Sequence, residues 1–261
     1  MKKFVSDLTV TGVESPHPDY VVLRLSDGGR PLPPMQPGQF VEVRVDGSPT
    51  TFLRRPISIN YVDTERGELW LLVHAVGEGT RRLSRLRPGE RLNCVYPLGH
   101  GFTIPAGKGR RLLLVGGGVG TAPLLYYGKC LREAGHEPVF LLGGRSAADV
   151  LQTEMFEQLG TLHITTEDGS RGCRGFVTAH PVWSEGGFDG VATCGPKPMM
   201  QAVARLADAA ALPCEASLEN MMACGLGACL CCVEKTRKGH VCVCSDGPVF
   251  NIKELQWLTS E

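Results

Sequence analysis

Four cysteines near the C-terminus read Cys224-x4-Cys229-x2-Cys232, and Cys244 follows after a gap. Thiolates are soft ligands that suit iron–sulfur clusters, copper(I) and zinc. A gap of four, a gap of two and a distant fourth thiol is a spacing that wraps a 2Fe–2S cluster. Zinc sites more often pair short knuckles at both ends, and here the second end is a single Cys. Gly225 and Gly227 lie between the first two thiols. They can take the positive φ needed to fold backbone closely around sulfides. Zinc, or cysteines with no metal, stay open as alternatives at this point. Cys231 and Cys242 are extra thiols beside the four, so an exchange of neighbouring ligands also stays open. Cys94, Cys130, Cys173 and Cys214 fit no ligand spacing and read as packing residues.

A second chemistry is carried by glycines. The run Gly116-Gly117-Gly118-Val119-Gly120-Thr121 follows a continuous apolar stretch at 111–115 and precedes a helical pattern. Glycine lets backbone approach a pyrophosphate, and a helix N-terminus favours its charge. The run is not the spaced G-x-G-x-x-G fingerprint, so a tight turn without ligand is the competing reading. Gly143-Gly144-Arg145-Ser146 and Cys194-Gly195-Pro196 leave two further apolar stretches in the same way. Open parallel sheets bind ligands at strand carboxyl ends, and three such loops support a dinucleotide site better than one.

Upstream, Arg54-Arg55-Pro56-Ile57-Ser58 offers a forked guanidinium donor beside a hydroxyl, a pairing that can clamp a phosphate or a flavin edge. The competing reading is a pair of solvated arginines. Gly79-Thr80 opens a short helical stretch, where Thr80 can cap and free N–H groups can receive a pyrophosphate.

The elements that must position these residues fall into two patterns. Short runs at 20–25, 39–45, 57–62 and 68–74, separated by Asp-Gly and Arg-Gly turns, predict strands of an antiparallel barrel or sandwich. A helix is expected over 80–86. From about residue 109, buried apolar stretches at 111–115, 138–144, 162–166 and 190–195 alternate with helical patterns, the last over 197–211. That alternation predicts a parallel sheet. The expected class is α+β multidomain: a β-barrel over 1–101, an α/β unit over 109–212 and a small Cys-rich module over 213–261.

Composition narrows the function classes. The 261 residues are 43% hydrophobic and 21% charged, with 27 basic and 27 acidic residues. A balanced charge gives no electrostatic case for nucleic acid or an anionic membrane surface. No run approaches the ~18 apolar residues of a membrane span. Asp7 interrupts the start too early for a secretory signal, and with eleven cysteines this points to the reducing cytoplasm. A chain this long builds a core without disulfide staples.

The order Arg55-Pro56-x-Ser58, Val76-Gly77-Glu78-Gly79-Thr80, Pro97-Leu98-Gly99, a glycine-rich loop and Cys194-Gly195-Pro196 resembles the ferredoxin reductase superfamily. That superfamily joins an FAD-binding barrel to an NAD(P)-binding α/β domain. With the tail from Ala223 to Cys229 and Cys244-Ser245-Asp246-Gly247-Pro248, essentially the whole chain is similar to the electron-transfer subunits of class 1B, NAD-dependent dihydroorotate dehydrogenases. The resemblance implies FAD contacts from Arg55, Pro56, Ile57, Ser58, Leu72, Val73 and His74, and pyrophosphate contacts from Gly79 and Thr80. It implies an NAD site bordered by Gly116, Gly117, Gly118, Gly120, Thr121, Cys194, Gly195 and Pro196. Cys224, Cys229, Cys232 and Cys244 would hold the cluster. It further implies an FMN-containing catalytic partner that oxidises dihydroorotate, in a heterotetramer of two subunits of each kind, within pyrimidine (UMP) biosynthesis. Electrons would pass from that FMN by way of 2Fe–2S and FAD to NAD+, with no side chain of this chain acting as acid or base. His74 stands where such sequences more often carry Lys or Arg, and imidazole is mostly neutral at pH 7.

A neighbouring group, the flavin and iron–sulfur subunits of NADH-dependent ferredoxin:NADP+ oxidoreductases and sulfide dehydrogenases, resembles this tail with Asp in place of Cys224. Cys224 therefore favours the pyrimidine enzyme. Arg145 beside Ser146 can accept a 2′-phosphate, which leaves NADP open. A redox sensor and a colourless zinc-stabilised binding module are the readings from other classes.

Overall fold

The computed structural model describes residues 2–258; the outermost ends of the expected first and last units lie outside these residues. Strands β1 (Phe4–His17), β2 (Tyr20–Ser26), β3 (Phe40–Val43), β4 (Arg55–Asp63), β5 (Glu68–His74) and β6 (Arg91–Leu98) close into a barrel in the order β1-β2-β5-β4-β3-β6. Every pairing in it is antiparallel. Alternate residues of the strands point inward, as the two-residue period of a strand requires. Leu23 and Leu25 of β2, Val41 and Val43 of β3, and Leu69, Leu71 and Val73 of β5 share one buried cluster. Strands β1 and β6 were not expected from sequence. Half of β1 is Ser, Thr, Asp, Glu and other residues left partly or wholly exposed, so it lacks an apolar run. β6 carries Asn93 and Pro97, residues that weaken a strand reading. Barrel closure stabilises both by pairing their edges.

Helix α1 (Glu78–Leu83) begins two residues before the expected start and ends three before the expected end. Thr80 is therefore not the capping residue. It sits one turn inside, where its hydroxyl accepts from Gly77 N–H at 3.0 Å.

The second half is a sheet in the order β10 (Cys173–Arg174), β9 (Thr161–Thr166), β8 (Glu137–Gly144), β7 (Arg111–Gly117), β11 (Gly190–Cys194), β12 (Cys214–Ser217), β15 (Val249–Asn251). All pairings are parallel except that of β15 with β12. The continuous apolar character of β7 has a direct cause. Leu113 and Val115 pack with Met200, Val203 and Ala204 of α5 (Lys197–Ala209) on one face. Leu112 and Leu114 pack with Leu124, Leu125 and Leu131 of α2 (Ala122–Glu133) on the other. Each of these leucines contributes about 1.5–3 kcal/mol by leaving water. Two shorter helices, α3 (Thr153–Leu159) and α4 (Val182–Glu185), flank the sheet.

The Cys-rich tail is woven into this sheet. β12 and β15 complete its edge, and between them lie the hairpin β13 (Val233–Thr236)–β14 (Gly239–Cys242) and the short helix α6 (Val243–Asp246). Barrel and sheet are locked together by a reciprocal amide pair. Asn60 Nδ2 donates to Gln152 Oε1 at 3.1 Å, and Gln152 Nε2 donates to Asn60 Oδ1 at 3.0 Å. Asn60 is fully buried. Among the described residues, no helix is long and apolar enough to cross a membrane.

Candidate functional site

Two cavities open along the seam between barrel and sheet. The first, about 630 Å³, lies over the carboxyl ends of the parallel strands. The order β9-β8-β7-β11 places β7 where the chain reverses its direction of travel across the sheet, the position at which open α/β sheets bind ligands. Gly117 and Gly118 of the glycine run, Gly143 and Gly144, and Pro196 line it. Gly116, Gly120, Thr121, Cys194 and Gly195 stand behind that lining. Their role is to bring the loops together: a Cβ on Gly120 would lie 2.5 Å from the Cys194 and Gly195 backbone. Thr121 Oγ1 donates to Gly118 O at 3.0 Å and so shapes the loop.

The second cavity, about 660 Å³, is on the barrel. Arg55, Pro56, Ile57 and Ser58 of β4 line it with Leu72 and His74 of β5 and Thr80 of α1. The strand period sends Leu72 and His74 to the cavity and the intervening Val73 into the barrel interior. Val73 can face a ligand only with its backbone. Gly79 packs beneath, against Thr51 and the Arg55 guanidinium. The two adjacent arginines divide their work. Arg54 donates to the carbonyls of Glu42 (3.2 Å) and Asn93 (3.0 Å) and staples the barrel, while Arg55 faces the cavity.

His74, Val119 and Glu219 line both cavities. His74 stacks on Tyr20 with ring centroids 4.2 Å apart and planes 2° from parallel. Burial lowers the His74 pKa, with Asp19 opposing, so the ring is neutral near pH 7. Glu219 lines the cavities with its carboxyl, desolvation raises its pKa, and the Cys194 thiol points to its Oε1 at 3.8 Å. Cys194 is raised well above its ordinary value, again mainly by burial. The Cys194 thiol keeps its proton where the cavities meet. Sequence reasoning missed Glu219 and Tyr20. The signal for Glu219 is its place just past the carboxyl end of β12, a strand too short and mixed to read as one.

The four cysteines gather in the loop and short helix that follow Glu219 in the chain. Cys224 and Cys229 adjoin each other, as do Cys232 and Cys244. Backbone amides aim at the sulfurs: Leu226 N–H at Cys224 Sγ (3.3 Å), Gly227 N–H at Cys244 Sγ (3.1 Å) and Cys244 N–H at Cys232 Sγ (3.3 Å). Gly225 and Gly227 hold φ of +65° and +82°, the conformation that this wrap requires. Space also dictates Gly225, because a Cβ there would lie 2.6 Å from Glu42 Cγ. The Leu226 N–H chiefly, with the amides of Cys229 and Ala228, lowers the Cys224 pKa to about 6, while burial pushes Cys244 up to about 12. Among the described residues no three His, Cys, Asp or Glu side chains converge tightly enough for a single metal ion. The donor set is instead two sulfur pairs with N–H groups turned toward them, which fits a metal–sulfide cluster better than a lone cation. Cys242 also sits beside Cys232, and its pKa, like that of Cys244, is raised first by burial. Glu42, on β3 beneath this loop, is fully buried, neither carboxyl oxygen has a partner, and its pKa rises to about 7.

Residues 219–256 match the family model described as the iron–sulfur cluster binding domain of dihydroorotate dehydrogenase B. The chain is 44% identical over 226 residues to the dihydroorotate dehydrogenase B (NAD(+)) electron transfer subunit of Shouchella clausii, spanning 84% of this chain and 86% of that one. It is 42% identical over 223 residues to the corresponding subunit of Caldanaerobacter subterraneus subsp. tengcongensis, with the same coverage. Among solved structures, that of an NADH-dependent reduced ferredoxin-NADP oxidoreductase superposes with a TM-score of 0.84 at 28% identity, covering 97% of this chain and 90% of that one. The ferredoxin reductase of carbazole 1,9a-dioxygenase shares the fold at a TM-score of 0.68 and 19% identity, over 82% of this chain and 68% of that one. Barrel, switch-point cavity, cysteine loop and these likenesses agree: the chain belongs to the family of dihydroorotate dehydrogenase B electron transfer subunits of the ferredoxin reductase superfamily.

Proposed function

We propose that this chain carries electrons between an FMN-containing partner that oxidises dihydroorotate and NAD+, using FAD in the barrel cavity and a 2Fe–2S cluster in the cysteine loop. The observation that carries the reading is a pair of cavities sharing His74, Val119 and Glu219, with Asn220, Met221 and Met222 walling the second just before the chain enters the cysteine loop. When bound, a flavin and an iron–sulfur cluster interconvert hydride and single-electron transfer, which links a nicotinamide to a one-electron donor. Arg55 and Thr80 hold the charged end of the flavin nucleotide, and Leu72, Ile57 and Pro56 supply apolar wall. The Gly116–Thr121 loop and Cys194-Gly195-Pro196 hold the nicotinamide dinucleotide against the shared edge. Cys224, Cys229, Cys232 and Cys244 hold the irons, and the amides of Leu226, Gly227 and Cys244 supply hydrogen bonds of the kind that tune a cluster's potential. His74, neutral and stacked, presents an aromatic face to both cavities rather than a charge.

The partner is read from the surface. Phe52 is 90% exposed and Met221 81%, and Leu53, Val76, Leu226 and Leu230 are exposed beside them, at the mouth of the barrel cavity and on the cysteine loop. A rim of this size and apolarity suits a permanent protein contact. A heterotetramer with two of each subunit, three units with the boundaries given above, and a cytoplasmic setting are carried as part of the same proposal. The neighbouring oxidoreductase group is the second reading. Higher identity to the pyrimidine subunits (44% against 28%) and the thiol at Cys224 weigh against it.

The test is anaerobic rapid mixing. NADH should bleach the flavin of the isolated chain within milliseconds, and dihydroorotate should bleach it only after the catalytic partner is added. Turnover of dihydroorotate with NAD+ by the isolated chain would overturn this division of labour.

A further inference from the structure

We infer that Glu234 is a positioning residue for the electron step between cluster and flavin. Its carboxylate ties the hairpin that carries two of the cluster thiols to the wall of the flavin cavity and to the start of α5. The inference rests on reading the barrel cavity as the flavin site and the cysteine loop as the cluster site.

The thiols are held in two ways. Cys224 and Cys229 lie on a loop without helix or strand. Cys232 and Cys244 lie at the base of the hairpin, one just before β13 and one just past β14. Val243 N–H donates to Cys232 O at 3.1 Å and Cys244 N–H to Cys232 Sγ at 3.3 Å, which closes that base. Hairpin and α6 thus carry these two thiols as one unit. The flavin wall has no such framework. Leu218, Asn220, Met221 and Met222 line the barrel cavity, and residues 218–222 form neither helix nor strand. No backbone ladder holds this segment in place, so its side-chain contacts must.

Glu234 bridges the two. It stands on β13, and its side chain is only 15% exposed. Its Oε2 accepts from Asn220 Nδ2 at 3.0 Å, and its Oε1 lies 3.3 Å from Lys197 Nζ. Asn220 belongs to the flavin wall, and Lys197 opens α5 directly after Pro196, which lines the dinucleotide cavity. The carboxylate therefore joins hairpin, flavin wall and dinucleotide loop. Its two arms differ in weight. The Lys197 side chain is 57% exposed, so that ion pair is screened by water and worth little. The Asn220 arm is a part-buried hydrogen bond to a charged acceptor, roughly twice as strong as a neutral one. Leu218, Cys232, Val243 and Cys244 share one apolar cluster, which brings wall and hairpin together. Apolar contact has no direction; the amide-to-carboxylate bond fixes how the hairpin sits along the wall.

The rate of electron transfer falls steeply with the separation of donor and acceptor, so a tie across this gap acts on that rate. In the forward direction electrons leave the cluster for the flavin one at a time. Two electrons and two protons from solvent reduce the flavin; NAD+ then takes a hydride from it, and one proton returns to solvent.

The test is anaerobic rapid mixing of NADH with the chain loaded with FAD and iron. Flavin bleaching is followed by absorbance, and cluster reduction by freeze-quench electron paramagnetic resonance. Glu234→Ala should bleach its flavin at the parent rate and reduce its cluster about tenfold more slowly, the order expected when reacting groups are slightly misplaced. Hydrogen exchange of residues 218–222, read by mass spectrometry, should speed up in the same variant. Glu234→Gln keeps the acceptor for Asn220 and loses only the charge facing Lys197, so it should reduce its cluster at the parent rate. In an Asn220→Ala background, Glu234→Ala should add little, because the tie is already broken. If Glu234→Ala matches the parent in cluster reduction, or keeps its full effect in the Asn220→Ala background, the inference is overturned while the reading of the two sites stands. If NADH bleaches the parent's flavin and never reduces a cluster, that reading fails and the inference falls with it. Should Glu234→Ala lose its iron, Asn220→Ala breaks the same bond from the flavin side and is read in the same way.

Discussion

The switch-point cavity and the cysteine loop are built differently. The cavity is floored by strands β7, β8, β9 and β11, each paired on both sides, with β7, β8 and β11 buried under α2 or α5. Its shape is stored in the sheet. Residues 218–232 carry Cys224, Cys229 and Cys232 and form neither helix nor strand. Their shape rests on amide-to-sulfur contacts and on what the sulfurs bind. The comparison teaches that flavin and dinucleotide can enter a scaffold already formed, whereas cluster binding and loop folding are one event.

The largest effect should come from breaking the loop side alone. Replacing Cys224, Cys229, Cys232 or Cys244 singly with Ser should remove most of the iron and nearly all electron transfer to a one-electron acceptor. NADH bleaching of the flavin should persist. Cys231→Ser and Cys242→Ser should keep their iron. If Cys242→Ser lost iron and Cys244→Ser kept it, the ligand set would have to be redrawn.

A smaller effect is expected on the cavity side. Arg55→Ala removes a charged donor, worth about 1.5–3 kcal/mol for a hydrogen bond to a charged partner, so flavin affinity should fall roughly ten- to a hundredfold by fluorescence titration. Iron content should not change. Parallel loss of iron would show that the two regions are not separately built.

Next is the clamp between the halves. Asn60→Ala leaves Gln152, which holds a left-handed φ of 54°, without its reciprocal amide. A loss of about 1–3 kcal/mol in unfolding stability is expected from the unsatisfied group, with flavin and iron retained. No loss would mean that the barrel and sheet are held by packing alone.

The smallest effect concerns Glu219, which lines both cavities. Burial raises its folded pKa, with the Cys194 hydrogen bond opposing. The unfolded carboxyl ionises near ~4.3. Its favourable contribution is therefore complete below that pH and is lost as pH rises through the folded value. Glu219→Gln never ionises, so it should match the parent near about pH 4 and gain stability over it from about pH 5 upward. A difference independent of pH would contradict the raised Glu219 pKa.

Much of this was legible from residue types. The continuous apolar stretch of β7 and the glycine run after it carry local rules, and the strand, the loop and the helix α2 lie where those rules put them. What escaped was set by distant partners. β1 is half polar and becomes a strand because β2 and β6 pair with its two edges. The start of α1 is fixed by the Thr80 side chain reaching back to the Gly77 backbone, not by a side chain at the cap position itself. Tyr20 and Glu219 reach the seam from opposite halves of the chain. No spacing rule relates them, and only the docking of barrel on sheet does.

The central claim is that Cys224, Cys229, Cys232 and Cys244 hold an iron–sulfur cluster next to a bound flavin. Metal and acid-labile sulfide analysis of anaerobically purified chain tests it most directly. About two irons and two sulfides per chain are expected for a 2Fe–2S centre, beside one flavin; zinc in their place, or neither iron nor sulfide, would contradict it.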